Sequence, residues 1–169
     1  MKLSVEHDLV FSAEQPLLKW GLHPAASDAL RQVGVQHDRV GQTIGNAVAS
    51  AGTHAEDGMA QGHPYCAATD FHILDLSEKE IKEFLDKISS VGFCGFYRHA
   101  GLDGWNGVTH VHAVYSGVQM KHTLRQQIHD WLAGKNGLVS HEHVTFWQPS
   151  ATSQNIVRAL FLHNNQMVG

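Results

Sequence analysis

The sequence has few of the features that mark membrane, nucleic-acid-binding or disulfide-stabilised proteins. No stretch approaches the roughly 20 consecutive apolar residues of a membrane-spanning helix. The net charge is −4 and the basic residues do not cluster, so the electrostatic footprint of a nucleic-acid-binding protein is missing. Only two cysteines occur, Cys66 and Cys94, and they form no Cys-x-x-Cys pair, which argues against a cysteine-based zinc site. We expect both to be buried, reduced thiols.

The rest of the composition is that of one globular domain. Of 169 residues, 43% are hydrophobic and 17% are charged, an ordinary balance for a chain that buries a core. The N-terminal residues carry charges where a signal peptide needs its apolar segment. We therefore expect a single domain over residues 1–169, made in the cytoplasm without a Sec signal.

Two short motifs, separated by about forty residues, contain the residue types of a metal site. The first places His63 seven positions before Asp70, and the second is His110-Val111-His112 in an apolar stretch typical of a strand. Residues two apart on a strand point to the same face, so His110 and His112 can face one site. Two imidazoles and one carboxylate are a typical ligand set for a catalytic zinc, which keeps its fourth position open for water.

Other histidines compete for the same role. The chain has 14 histidines, so chance His-x-His pairs are expected, and a second pair stands at His141 and His143. That pair has no third ligand nearby at a suggestive spacing. On a strand over residues 67–76, His72 would share a face with Asp70 and is a competing ligand.

The order of the two motifs resembles the signature of the LAS zinc peptidases, the superfamily of lysostaphin, D-Ala-D-Ala carboxypeptidase and sonic hedgehog. That signature is His-x6-Asp followed downstream by His-x-His. The resemblance covers roughly residues 45–115. It implies that His63, Asp70 and His112 bind zinc, and that His110 assists catalysis without binding the metal.

The D-Ala-D-Ala carboxypeptidase branch is the most similar part of that superfamily. Its first motif, Ser-x-His-x-x-Gly-x-Ala-x-Asp, matches this chain at the histidine, at Ala68 and at Asp70. Gln61 replaces the serine and Cys66 replaces the glycine. The segment 91–97 also looks like the Gly-Phe-Tyr strand that precedes the last zinc ligand in that branch.

The general base is the part of the resemblance that this sequence departs from. Many members of the branch carry an acid three residues before the last zinc histidine, and Thr109 stands there instead. Three alternatives follow: His110 takes the role, a carboxylate such as Asp103 or Asp57 reaches in from a loop, or catalysis has been lost.

Two further residues are candidates for substrate binding. His54 lies roughly where relatives carry an arginine that contacts substrate, although an exposed loop histidine is the alternative. Tyr65 lies beside the first motif and could orient substrate, with strand packing as the alternative.

Hydrophobic periodicity predicts an α+β fold, with a small antiparallel sheet that carries the zinc site and packs against several helices. The clearest helix begins after Ser77, which forms a capping-box signature with Glu80. Helices are predicted at 25–33, 78–89, 119–133 and 152–163, and strands at 67–76, 93–97, 108–115 and 144–148.

The resemblance to the LAS zinc peptidases implies a zinc-dependent peptidase that hydrolyses bacterial cell-wall peptides, with a D-Ala-D-Ala or endolysin-type activity. The expected cofactor is zinc and the expected partner is a peptidoglycan-derived peptide, reached by a route other than Sec. One alternative is a non-catalytic zinc-binding module of the same fold. Another is a cupin-like metal protein, because Gly104, His110 and His112 fit the opening of the cupin signature, although Ser116 or Gly117 stands where its glutamate is expected.

Overall fold

The computed structural model describes residues 15–45, 52–101 and 105–165. These residues form four α-helices, one short 3₁₀ turn and five strands in two small antiparallel sheets, which confirms the predicted α+β class. The helices are α1 (Pro24–Gln32), α2 (Glu78–Ser89), α3 (His122–Leu132) and α4 (Ala151–Asn165), and the 3₁₀ turn is His37–Arg39. The strands are β1 (Gly58–Ala60), β2 (His63–Tyr65), β3 (Ala68–His72), β4 (Phe93–Arg98) and β5 (His110–Tyr115).

The larger sheet has the order β3-β5-β4, with all neighbours antiparallel, and a hairpin of β1 and β2 forms the smaller one. The register pairs Asp70 with His112 and His72 with His110. On the other side of β5, Phe96 of β4 stands opposite His112. Directly opposed residues of antiparallel strands share a face, so Asp70, His112 and Phe96 form one row across the sheet.

Helix α2 packs on the opposite face of this sheet. It begins where the sequence predicts, because Ser77 accepts from the Glu80 backbone N–H and the Glu80 side chain returns to the Ser77 backbone. Gly95 of β4 lets the helix approach closely: a Cβ there would lie 2.6 Å from Leu85 and 3.2 Å from Ile88. The core is thus continuous from the helix stripe to the strand that carries His112.

The predicted strand at 144–148 is wrong. In this region the structure has only an isolated bridge between Lys135 and His143. The aromatic residues of the segment instead pack sideways: Phe146 lies 4.5 Å from Tyr97 and Trp147 lies 6.4 Å from Trp131, between ring centroids. The aromatic residues of the segment 144–148 therefore pack against β4 and α3 and do not indicate a paired strand.

Both cysteines are buried and free, which confirms the prediction of unpaired thiols. Burial raises the pKa of the Cys94 thiol well above its usual value, so this side chain acts as a small apolar group. In the described parts of the chain, no helix has both the length and the apolar character that a membrane crossing requires.

Candidate metal centre

His54, Asp70 and His112 form one compact group that could hold a metal ion, and it is the one such group among the described residues. Their ligand atoms lie within 4.8 Å of one another. Asp70 Oδ1 is 3.0 Å from His112 Nδ1, and Asp70 Oδ2 is 3.4 Å from His54 Nε2. Ligands of a tetrahedral ion with bonds of about 2.0–2.1 Å stand roughly 3.3 Å apart, and each imidazole lies near that distance from a different oxygen of Asp70.

The three residues of this His–Asp–His group come from two different kinds of structure. Asp70 and His112 are cross-strand neighbours, so the sheet register fixes their separation. His54 belongs to a turn ahead of β1, and its carbonyl oxygen accepts a hydrogen bond from the Gly45 N–H at 3.0 Å. Both imidazoles are buried, with 3% of each residue exposed, whereas the Asp70 side chain keeps 20% of its surface in contact with solvent.

Each imidazole of the group has one nitrogen on an outer acceptor and the other directed at Asp70. His54 Nδ1 donates to the Thr43 carbonyl oxygen at 2.6 Å, since a carbonyl only accepts. His112 Nε2 lies 2.9 Å from Oε1 of the buried Gln127. Metal-binding histidines characteristically donate their second N–H to such an acceptor, which fixes the tautomer and orients the ring. The surroundings of the group therefore suit metal ligation.

Electrostatics favour a proton on His54 beside an ionised Asp70 when no metal is bound. Burial lowers the pKa of His54, but hydrogen bonds to Asp70 and Cys66 and the charge of Asp70 outweigh this and raise the pKa to about 10. Burial would raise the pKa of Asp70, yet its contacts with His112 and His54 hold that pKa well below the usual range. A proton on His54 thus occupies the position that a cation would take.

Metal binding should consequently release protons. With its pKa at about 10, His54 is protonated at pH 6, and a metal ion must displace that proton. We expect at least about one proton to be released per zinc bound at pH 6, and zinc affinity to fall about tenfold for each further unit of acidification. Titration calorimetry in two buffers of different ionisation enthalpy measures this number. Binding without proton release would contradict the ion pair between His54 and Asp70.

Gln127 should support the group without being a ligand. Gln127→Ala removes the acceptor that orients His112, and loss of such outer partners typically weakens metal affinity 10–100-fold. Competition with a chromophoric zinc chelator measures this change. Gln126→Ala is the matched control, because Gln126 is the exposed neighbour on the same helix. Equal zinc affinities for the two variants would contradict the role of Gln127.

The structure brings together two of the three predicted ligands, Asp70 and His112, and adds His54 to them. His63, the third predicted ligand, is an exposed residue of β2 and is not in the group. The alternative of an exposed loop position for His54 is wrong, because its imidazole is buried. The signal that could have found it is weak: a histidine sixteen residues before Asp70, with a hairpin between them, belongs to no motif.

The remaining candidate side chains lie elsewhere. Tyr65 is buried, and its hydroxyl donates to the Gln119 carbonyl oxygen at 2.8 Å. It therefore packs in the core, which is the alternative to substrate binding. His72 shares the sheet face with Asp70, as predicted, but its ring packs over Gly41 outside the group. His141 is exposed and pairs with Asp130 at 2.8 Å.

His110 lies at the edge of the group. Its Nε2 is 3.7 Å from Asp70 Oδ1, and its Nδ1 is 2.8 Å from the Val108 carbonyl oxygen. Burial lowers the pKa of His110, and this effect exceeds the opposing influence of Val108 and Asp70. A neutral imidazole at pH 7 can accept a proton, as the predicted assisting role requires.

The loop carboxylates proposed as a base have different positions. The Asp57 side chain is fully buried and accepts from the Ala67 N–H at 2.7 Å, the Lys121 N–H at 2.7 Å and the Lys121 Nζ at 2.9 Å. A carboxylate engaged in this way holds the loop to β3 and α3 and is not a base for the His–Asp–His group. Asp103 lies outside the described residues.

Comparisons with protein-family models, with curated proteins and with solved structures found no match to this chain. Any functional interpretation therefore depends on the chemistry of the group and on the two motifs.

Proposed function

We propose that this chain is a zinc-dependent peptidase that hydrolyses peptide bonds of bacterial cell-wall peptides, with a D-Ala-D-Ala carboxypeptidase or endolysin-type activity. The observation that carries the proposal is the donor set of His54, Asp70 and His112, in which each imidazole has an outer acceptor. Three protein ligands and an open fourth position characterise catalytic rather than structural zinc sites. The substrate class comes from the resemblance of the two motifs, of which Asp70, His110 and His112 lie in or beside the group and His63 does not.

The donor set favours zinc over the abundant hard cations. Calcium and magnesium prefer oxygen ligands in larger numbers, and this group offers two imidazole nitrogens with a single carboxylate. One negative charge against a divalent ion leaves a net positive centre, which is what a Lewis acid needs. Zinc in such a site lowers the pKa of a bound water to about 7 and polarises a carbonyl oxygen.

The chain's own residues divide the remaining tasks. Asp70 balances part of the charge, and its partly exposed side chain marks the side from which a substrate carbonyl can approach. His110 holds its Nε2 beside this carboxylate, where it can take a proton from the attacking water and return it to the leaving amine. His112 is held by Gln127, so the ring keeps its orientation while His110 moves protons.

A cell-wall digestion assay tests the proposal. Zinc-loaded protein is incubated with peptidoglycan sacculi and, separately, with a synthetic pentapeptide that ends in D-Ala-D-Ala. We expect new amino termini or free D-alanine by mass spectrometry, loss of both after chelation, and recovery after zinc is returned. A fully zinc-loaded protein that cleaves neither substrate would contradict the peptidase.

The second candidate is a zinc-binding module of the same fold without catalysis. Thr109 stands where many members of the resembled carboxypeptidase branch carry an acid, and Asp57 is fully engaged elsewhere, so neither position supplies a base. Stoichiometric zinc with no hydrolysis would favour this candidate. A cupin-like protein fits less well, since the described residues form two small sheets and four helices rather than a barrel.

A further inference from the structure

An open pocket lies along the outer edge of β4, and none of its lining residues belongs to the His–Asp–His group. We call it the β4-edge pocket; its walls are Gly95, Phe96 and Tyr97 of β4, Trp131 of α3, and parts of the segment 134–149, including Phe146 and Trp147. Its cavity volume is about 120 Å³, below the usual range of pockets that enclose a whole small molecule, so it offers room for a side chain rather than for such a ligand. Phe96 connects this pocket with the His–Asp–His group, because its ring is stacked on His112 at 6.4 Å between centroids.

The floor of this pocket is an unpaired strand edge. Ser116 N–H donates to the Gly92 carbonyl oxygen at 2.9 Å, whereas Tyr115 N–H turns the other way, to Ala67 on the β3 side. Along an antiparallel strand, the backbone N–H and C=O groups of successive residues point to alternate sides. Gly92 points towards β5, so Gly95 and Tyr97, three and five residues later, point their N–H and C=O groups away from β5. Within the described residues, no hydrogen bond from outside the sheet reaches these groups.

The walls add aromatic surface and one buried donor without a partner. The rings of Tyr97 and Phe146 are in contact on one side, and those of Trp131 and Trp147 lie near each other on another. Trp131 is 3% exposed, and its indole Nε1 has no hydrogen-bond partner among the described residues. An indole nitrogen only donates, and a buried donor without an acceptor costs stability, so a ligand with a carbonyl oxygen would relieve it.

We propose that the β4-edge pocket binds an extended peptide, which adds as a strand to β4 and places an apolar or aromatic side chain between the aromatic walls. Gly95 and Tyr97 offer the alternating donors and acceptors of a free strand edge, and a peptide backbone is the ligand whose own groups match that spacing. The peptide also supplies carbonyl oxygens, the kind of acceptor that the Trp131 donor lacks. This site is independent of zinc and of hydrolysis, so it goes beyond the proposed function.

Backbone N-methylation of a probe peptide tests strand addition directly. The probe is acetyl-Thr-Val-Phe-Val-Thr-amide, titrated into ¹⁵N-labelled full-length protein with and without zinc. Two matched probes carry N-methyl groups either on both valines or on the phenylalanine and the last threonine. Because strand N–H groups alternate in direction, one methylated probe should bind about tenfold more weakly, and the other should bind within about threefold of the parent.

The expected result is saturable binding, with the largest shifts at the Gly95 and Tyr97 amides and the same affinity with and without zinc. Phe146→Ala should weaken binding about tenfold, while Leu162→Ala, a half-exposed residue of α4, should leave it unchanged. Equal binding of both methylated probes, shifts confined to other amides, or no saturation at millimolar peptide would each overturn the proposal. Chitotriose shifting the Gly95 and Tyr97 amides when the peptide does not would overturn it as well.

Discussion

His54→Ala, Asp70→Ala and His112→Ala are each expected to abolish stoichiometric zinc binding, while His63→Ala keeps one zinc per chain. Removing one of three protein ligands forces the ion to recruit water in its place, and the binding free energy falls accordingly. His63 is exposed on β2, outside the group, so its loss should leave the ligands untouched. Metal analysis after gel filtration in zinc-free buffer measures the stoichiometry.

The comparison between His54→Ala and His63→Ala shows which histidine is the third zinc ligand: His54, which the structure places in the group, or His63, which the sequence motif predicts. Both are single histidine-to-alanine changes in the same part of the chain, so each is the matched control for the other. Circular dichroism must show that His54→Ala is folded, because this side chain is buried; His54→Asn and Asp70→Asn are milder replacements. Loss of zinc in His63→Ala together with full zinc in His54→Ala would show that His63, and not His54, is the ligand.

His110→Ala is expected to keep its zinc and its fold but to lose most peptidase activity. Groups that move protons or stabilise charge in the transition state contribute roughly 10² to 10⁴ in rate, so kcat/KM should fall by that factor. The reason is geometric: His110 lies beside Asp70 on the sheet face that carries His112, but it is not in the metal-binding group. Zinc content and hydrolysis of the pentapeptide are measured on the same preparation.

His72→Ala is the matched control for this variant, because His72 stands directly opposite His110 in the sheet and packs outside the group. It should retain both zinc and activity. Zinc loss in His110→Ala would make His110 a ligand and the site structural. Full activity in His110→Ala would place the base elsewhere, and Asp103→Asn would be the next variant to assay.

The parts of the fold and site that the sequence predicted are those fixed by local periodicity. The capping box and apolar stripe located α2, and the two-residue alternation correctly predicted that Asp70 and His72 share one sheet face. His54 could not be found in this way. Its place depends on the contact of its ring with the Thr43 carbonyl oxygen and on the hairpin folded between it and Asp70.

The same limit explains the error at 144–148. Valine, threonine and aromatic residues favour strands because they suit a pleated, half-buried surface. Phe146 and Trp147 are half-buried against Tyr97 and Trp131 without pairing in a sheet. Pairing additionally needs a neighbouring strand at the right distance, and no local pattern carries that information.

The hydrogen bonds around His54 and His112 also bear on the order in which the protein is assembled. Zinc fingers are unfolded without their ion, because their site does not form until the metal binds. Here Thr43, Asp70 and Gln127 already satisfy the imidazoles without it. We therefore expect the chain to complete its fold without an ion and to bind zinc afterwards, so that folded protein can be loaded with cobalt as a visible reporter of the site.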